Sequence, residues 1–135
     1  MSSQVSGEQS QVSGQPGFQK LQVWQAAHKL ARSVYLATDS FPGHEIFGLT
    51  SQLRRAALAV PTNIVEGQST FSKKEFRRFL RIANASLVET EYLLLFAQEV
   101  GYLKKDEYDN LLEQQSHTGR LLQGLIRSLH ASLDT

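Results

Sequence analysis

The sequence predicts an all-α fold: an antiparallel up-down-up-down four-helix bundle that self-associates as a homo-oligomer. Three observations predict it. Apolar residues recur at helical spacing from Phe18 almost to the end of the chain, with no sustained period-two alternation. Short breaks at "SFPGHE", "GQST" and Gly101 divide that pattern into four stretches joined by tight turns. Two of the stretches carry more apolar surface than one bundle interior can take up, and such surplus marks interfaces.

The chain has 135 residues, enough for one domain with a substantial core. Residues 1–17 form a tail and 18–135 the bundle domain. In the tail, "SQVSGEQ" at 3–9 is followed by the near-duplicate "SQVSGQP" at 10–16. Ser, Gln and Gly dominate there, a composition that cannot bury enough surface to offset its ordering entropy. Cysteine is absent, which excludes disulfides and thiolate chemistry. No run approaches the roughly 20 apolar residues of a membrane helix, and the N-terminus lacks a signal-peptide pattern. A cytoplasmic protein without membrane contact is expected. Net charge is +1, so any nucleic-acid footprint is local.

Helix one is expected over about 20–40, with Leu21, Trp24, Ala31, Val34 and Tyr35 on one side. Helix two spans about 46–66 and stops at Gly67, read as a left-handed cap. Pro61 interrupts it by removing an amide donor, yet the apolar spacing continues to Ile64. Helix three begins at Ser72 as N-cap with Glu75 at the third position, a capping box, and runs to Val100. Helix four spans about 105–132 on Tyr108, Leu111, Leu112, Leu122, Leu125 and Leu129.

The surplus lies on helices two and three. A bundle helix needs an apolar stripe a little over about 100° wide, but "YLLLF" at 92–96 is apolar almost all round. On helix two, Leu58, Pro61 and Val65 turn away from the Leu49–Leu53–Val60–Ile64 line. Leu58, Val65, Tyr92 and Leu95 are therefore the expected oligomer interface.

Two charged constellations stand out. Gln52, Arg55, Ala59, Asn63 and Glu66 recur at heptad-like spacing along one flank of helix two, with Ser86 and Glu89 at matching height on helix three. A partly buried arginine needs carboxylate or carbonyl partners. Gln52, Arg55, Asn63, Glu66, Ser86 and Glu89 are read as a structural polar seam, with a ligand or catalytic cluster as the alternative. Lys73, Lys74, Arg77, Arg78 and Arg81 lie within nine residues, opposed only by Glu75. Cations at a helix N-terminus oppose its macrodipole, so helix stability does not explain them. A phosphate backbone or an acidic protein surface would; the alternative is a solvated face neutralised by Glu66 and its neighbours.

Catalytic patterns are missing. There is no HExxH, GxSxG, P-loop or GxGxxG, and His28, His44, His117 and His130 are dispersed. No enzymatic activity, catalytic residue, cofactor or metal is expected, and no small-molecule substrate is identifiable.

"FQKLQVW", "FPGHEIFGLTSQLRRAA", "VPTNIVEG", "RFLRIANASLVETE" and "EVGYL" occur in that order. Together they resemble the bacterial four-helix bundle proteins linked to intervening sequences of large-subunit ribosomal RNA genes. The match carries at Gln52, Arg55, Pro61, Asn63, Ile64, Glu66, Gly67, Ile82, Ala83, Ser86, Leu87 and Glu89. Ala59 stands where that family more often has serine, and Asn84 where it often has a basic residue. The resemblance implies a ring, typically a pentamer, and no enzyme. Its relatives include accessory variability determinants of diversity-generating retroelements, which implies RNA, DNA or a nucleic-acid enzyme as partner. Three readings follow: a non-enzymatic homo-oligomeric scaffold binding such a partner through the basic face; a purely protein-interaction ring; and, more distantly, an enzyme using the Arg/Glu seam.

Overall fold

The computed structural model describes the backbone of residues 17–134 and the side chains of 17–130. Four α-helices account for most of it: α1 (Gln22–Thr38), α2 (Leu49–Gln68), α3 (Lys73–Glu99) and α4 (Lys105–Asp134). Short 3-10 turns at Gly17–Lys20 and Gly43–Glu45 precede α1 and α2. Residues 1–16 of the expected tail lie outside the described residues; Gly17 opens the first 3-10 turn. Among the described residues there is no strand.

Consecutive helices pack side by side, α4 closes on α1, and the diagonal pairs do not meet, which is the predicted up-down-up-down bundle. The core runs its full length through Leu30, Val34, Leu53, Val60, Ile64, Leu80, Leu87, Leu94 and Leu122. Each such side chain contributes about 1.5–3 kcal/mol by leaving water.

The ends of the helices show how the turns are made. The Ser72 hydroxyl accepts from the Glu75 amide at 3.2 Å, capping α3 as predicted. The Glu75 carboxylate, however, takes Arg78 as its partner (3.1 Å). At the other end of α3, Gly101 adopts φ +88°; the Tyr102 amide donates to the Ala97 carbonyl (2.9 Å) and the Gly101 amide to Gln98 (3.1 Å). These two bonds make a Schellman motif, and the left-handed residue at its centre favours glycine.

Gly67 does not match the expectation of a cap. Helix α2 runs through it to Gln68, and Gly101 is the one glycine with positive φ among the described residues. Gly67 is buried where α2 crosses α3: a Cβ there would lie 2.8 Å from Phe79 Cβ and 2.9 Å from Phe76 Cδ1. The glycine serves close helix approach, not chain reversal. Pro61 is likewise buried inside α2 rather than turned outward. Its neighbours fold back on the preceding turn, Thr62 Oγ1 donating to the Leu58 carbonyl and Asn63 Nδ2 to that of Ala59, both at 2.8 Å.

Helix α2 starts at Leu49, three residues later than expected, because Glu45 caps it from outside. Its Oε1 accepts from the Leu49 amide (3.0 Å), and its Oε2 accepts from the Tyr102 hydroxyl (2.9 Å) in the α3–α4 turn. Gly48 makes room: a Cβ there would stand 2.7 Å from Glu45 Oε1. The Leu49 amide first, then the Tyr102 hydroxyl, hold the Glu45 carboxyl below its ordinary pKa, while the same bond to Glu45 raises the Tyr102 phenol. A depressed carboxylate supports the fold above its unfolded pKa and ceases to as pH falls through its folded value. The Glu45 contribution is therefore lost progressively below about pH 4.5. Glu45→Gln should flatten that acid limb of the stability curve, read by urea unfolding at a series of pH values. An unchanged acid limb would show that Glu45 does not couple to folding.

Candidate functional site

The polar flank of α2 resolves into two different arginines. Arg55 is exposed, as are Gln52, Glu66 and Glu89, while Asn63 and Ser86 are half-buried. Among the described residues the Arg55 guanidinium forms no hydrogen bond or ion pair, so the expected buried network around it is absent from the single chain. The reason is angular: Arg55 follows Leu53 by two residues, about 200° around the helix and away from the core. Asn63 bonds within its own helix.

Arg54, which the sequence reading did not single out, makes the inter-helix contacts. Its Nε donates to Thr38 Oγ1 (2.7 Å), and its Nη2 to Asp39 Oδ1 (3.1 Å) and the Tyr35 carbonyl (3.4 Å). The guanidinium lies 4.8 Å from the centre of the Tyr35 ring. It thus neutralises the carbonyl end of α1, where a cation is favoured. Arg54→Ala should lower unfolding free energy by about 1.5–3 kcal/mol, the range for hydrogen bonds to a charged group. Arg55→Ala should stay within about 0.5 kcal/mol at concentrations where chains are separate. Urea midpoints of the two variants check this; equal losses would put the contact at the wrong arginine.

The outer side of α3 is divided in two. Its first half is basic: Lys73, Lys74, Arg78 and Arg81 are exposed, and Arg77 is half-buried against His130 of α4. Arg78 pairs with Glu75 and lies over the Phe79 ring at 4.6 Å. Lys74 and Arg81 form no ion pair among the described residues. A groove lined by Lys74, Glu75, Arg77, Arg78, Arg81, Ile82 and Ala85 shares Arg81 and Ala85 with a second, lined also by Asn84, Gln123 and Ile126. The second half exposes Val88, Tyr92, Leu95, Phe96 and Val100 together with Glu89, Glu91 and Glu99. Of the residues expected at an interface, Leu58, Tyr92 and Leu95 are exposed and Val65 is half-buried.

The histidines do other things. His28 stacks on Trp24 at 4.6 Å, and burial, then the Arg32 charge, lower its pKa. His44 lies 3.9 Å from Glu45. Among the described residues no group of three His, Cys, Asp or Glu side chains could hold a metal ion. No helix of the described residues is long and apolar enough to cross a membrane.

These features define an all-α four-helix bundle protein whose distinctive chemistry lies on the outside of one helix. The chain belongs to the 23S rRNA-intervening sequence protein family, whose model matches residues 19–124. Among solved structures it is similar to a protein of unknown function from the S23 ribosomal protein family of Bacteroides thetaiotaomicron VPI-5482. That likeness has a TM-score of 0.71 at 24% identity, covers 78% of this chain and 95% of the other, and concerns the fold. A comparison with curated proteins finds no match.

Proposed function

We propose that the protein is a non-enzymatic homo-oligomeric scaffold that presents the basic half of α3 to nucleic acid or to an enzyme acting on it. The observation that carries the reading is the row of exposed apolar side chains on the second half of α3, with Leu58 on α2. Contiguous apolar surface of this kind is normally covered, and a second copy covers it in a closed, repeated way. The unpaired Arg55 and the exposed Glu66 and Glu89 support the same partner, since opposite charges on one face can pair across a self-association interface. The family resemblance favours five copies. The cysteine-free sequence suits the reducing cytoplasm.

Sedimentation equilibrium at micromolar concentration should show a species several times 15.1 kDa. Tyr92→Glu with Leu95→Glu should reduce it to one chain with unchanged helicity by circular dichroism. A wild-type monomer would overturn the scaffold reading. The alternative of a purely protein-binding ring draws on the Glu75–Arg78 pair, which takes part of the ridge out of play. Absence of nucleic-acid binding at low salt would favour it.

A further inference from the structure

We propose that the basic half of α3 takes a single strand of nucleic acid, with a base stacked on Phe71 and nearby phosphates on Lys74 and Arg81. The inference rests on the reading of this ridge as a polyanion surface and adds which form of polyanion it takes.

Phe71 is the most exposed large apolar side chain among the described residues, at 107% relative to a reference residue. It immediately precedes the N-cap Ser72, and Phe76 stands four residues past that cap. In this arrangement the two apolar residues ordinarily close on one another as a hydrophobic staple. Here Phe76 is half-buried on the flank of the core, beside Gly67, while Phe71 stays in solvent. Local folding thus makes no use of the ring.

Phe71 closely precedes the cations in the chain. Phe71 and Lys74 are three residues apart, so their Cα atoms are within about 11 Å. From Lys74 the positive charge continues to Arg81, two turns on along the same side of the helix, with Arg78 between them held by Glu75. Ile82 and Ala85 give the groove between them an apolar floor. An exposed aromatic beside a basic track with an apolar floor is the pattern that holds unpaired nucleotides, because each free base offers a π-face and each linkage a charge. A duplex would use the cations alone, since its bases are already stacked on each other. Recognition should be sequence-tolerant, for nothing here reads base edges.

The test is fluorescence anisotropy with labelled oligo(dT) and oligo(U) of about 16 nucleotides and a DNA duplex of equal length. Titrations use the full chain at about 50 and about 200 mM salt. Wild-type protein should prefer the single strands. Phe71→Ala should weaken single-strand binding about 5- to 150-fold, the range for losing one base–aromatic stack. It should leave duplex binding unchanged, and Phe71→Trp should restore the single-strand affinity. Two phosphate contacts predict a roughly 7-fold loss of single-strand affinity over that fourfold rise in salt, and Lys74→Glu with Arg81→Glu should remove that dependence. The two sugars identify whether RNA or DNA is preferred. If wild type binds neither strand nor duplex at the lower salt, the ridge reading falls and takes this inference with it. If it binds both and Phe71→Ala changes neither, or both equally, only the single-strand inference falls. A Phe71→Ala protein that instead changes mass in sedimentation would place the ring between copies of the chain and overturn the stack.

Discussion

Leu94→Ala should lower the unfolding free energy by about 2–5 kcal/mol, the cost of emptying a closed apolar site. Leu95→Ala, one residue further along α3, should cost about 1 kcal/mol or less in dilute solution. The two leucines sit in the same "YLLLF" run and look alike in sequence. In the bundle Leu94 is wholly buried among the four helices, while Leu95 is 39% exposed on the outer side. Removing the Leu94 side chain forfeits both its transfer from water and its packing contacts, which neighbours on four helices cannot close over. Removing Leu95 mostly trims surface. If that surface is covered by another copy, the Leu95→Ala deficit should grow with protein concentration, whereas that of Leu94→Ala should not. Urea unfolding at low and high concentration separates the two. Equal deficits at every concentration would mean that the division between the inner and outer sides of α3 is wrong.

Gly67→Ala and Gly124→Ala should shift stability in opposite directions although both place alanine inside a helix. Alanine is the better helix former by about 1 kcal/mol, and Gly124 has nothing within 4 Å of an added Cβ. Gly124→Ala should therefore stabilise by up to that amount. At Gly67 the same methyl would meet Phe79 Cβ at 2.8 Å, an atom fixed to the backbone of α3. Relief requires α2 and α3 to move apart, and overpacking of this kind costs about 1–3 kcal/mol net of small local gains. Gly67→Val should cost more than Gly67→Ala. Thermal and urea unfolding of the three variants check the order. A stabilised Gly67→Ala protein would contradict the close crossing.

What could be read from the residues, and what could not, follows from the range of each interaction. The helices, the Ser72 cap and the Gly101 stop depend on neighbours a few residues away, and their signals are local. Gly67 was open to misreading because a glycine ending an apolar pattern looks the same whether it reverses the chain or admits another helix. Only the position of Phe76 and Phe79 across the crossing distinguishes the two. Arg54 escaped notice for a related reason: its partners Tyr35, Thr38 and Asp39 belong to the end of another helix and its C-cap, 15 to 19 residues earlier. Arg55 drew attention by its alignment with Asn63 and Glu66, an alignment that exists but lies on the exposed side. The basic ridge was legible because charge clustering is a property of sequence alone. The Glu75–Arg78 pair, at a spacing of three, was passed over because Glu75 also fits a capping box with Ser72. The contact of Arg77 with His130, 53 residues away, was not legible.

The family motif itself divides by burial. Pro61, Ile64 and Gly67 are packed between helices, whereas Arg55, Glu66 and Glu89 are exposed. One set lies in the interior, Gly67 where α2 crosses α3, and the other is left on the surface for whatever meets it.

The Glu45 carboxylate has a consequence for how the chain can vary in length. One oxygen holds the start of α2 and the other holds the α3–α4 turn, so two connections far apart in sequence are tied at one end of the bundle. The segment between Thr38 and Leu49 is thus a strut of fixed span rather than a slack spacer. An added or deleted residue between Glu45 and Leu49 would carry the carboxylate off one anchor or the other. Variants that accept inserted residues there should be rare, and those that do should have replaced the Glu45–Tyr102 contact with some other bridge.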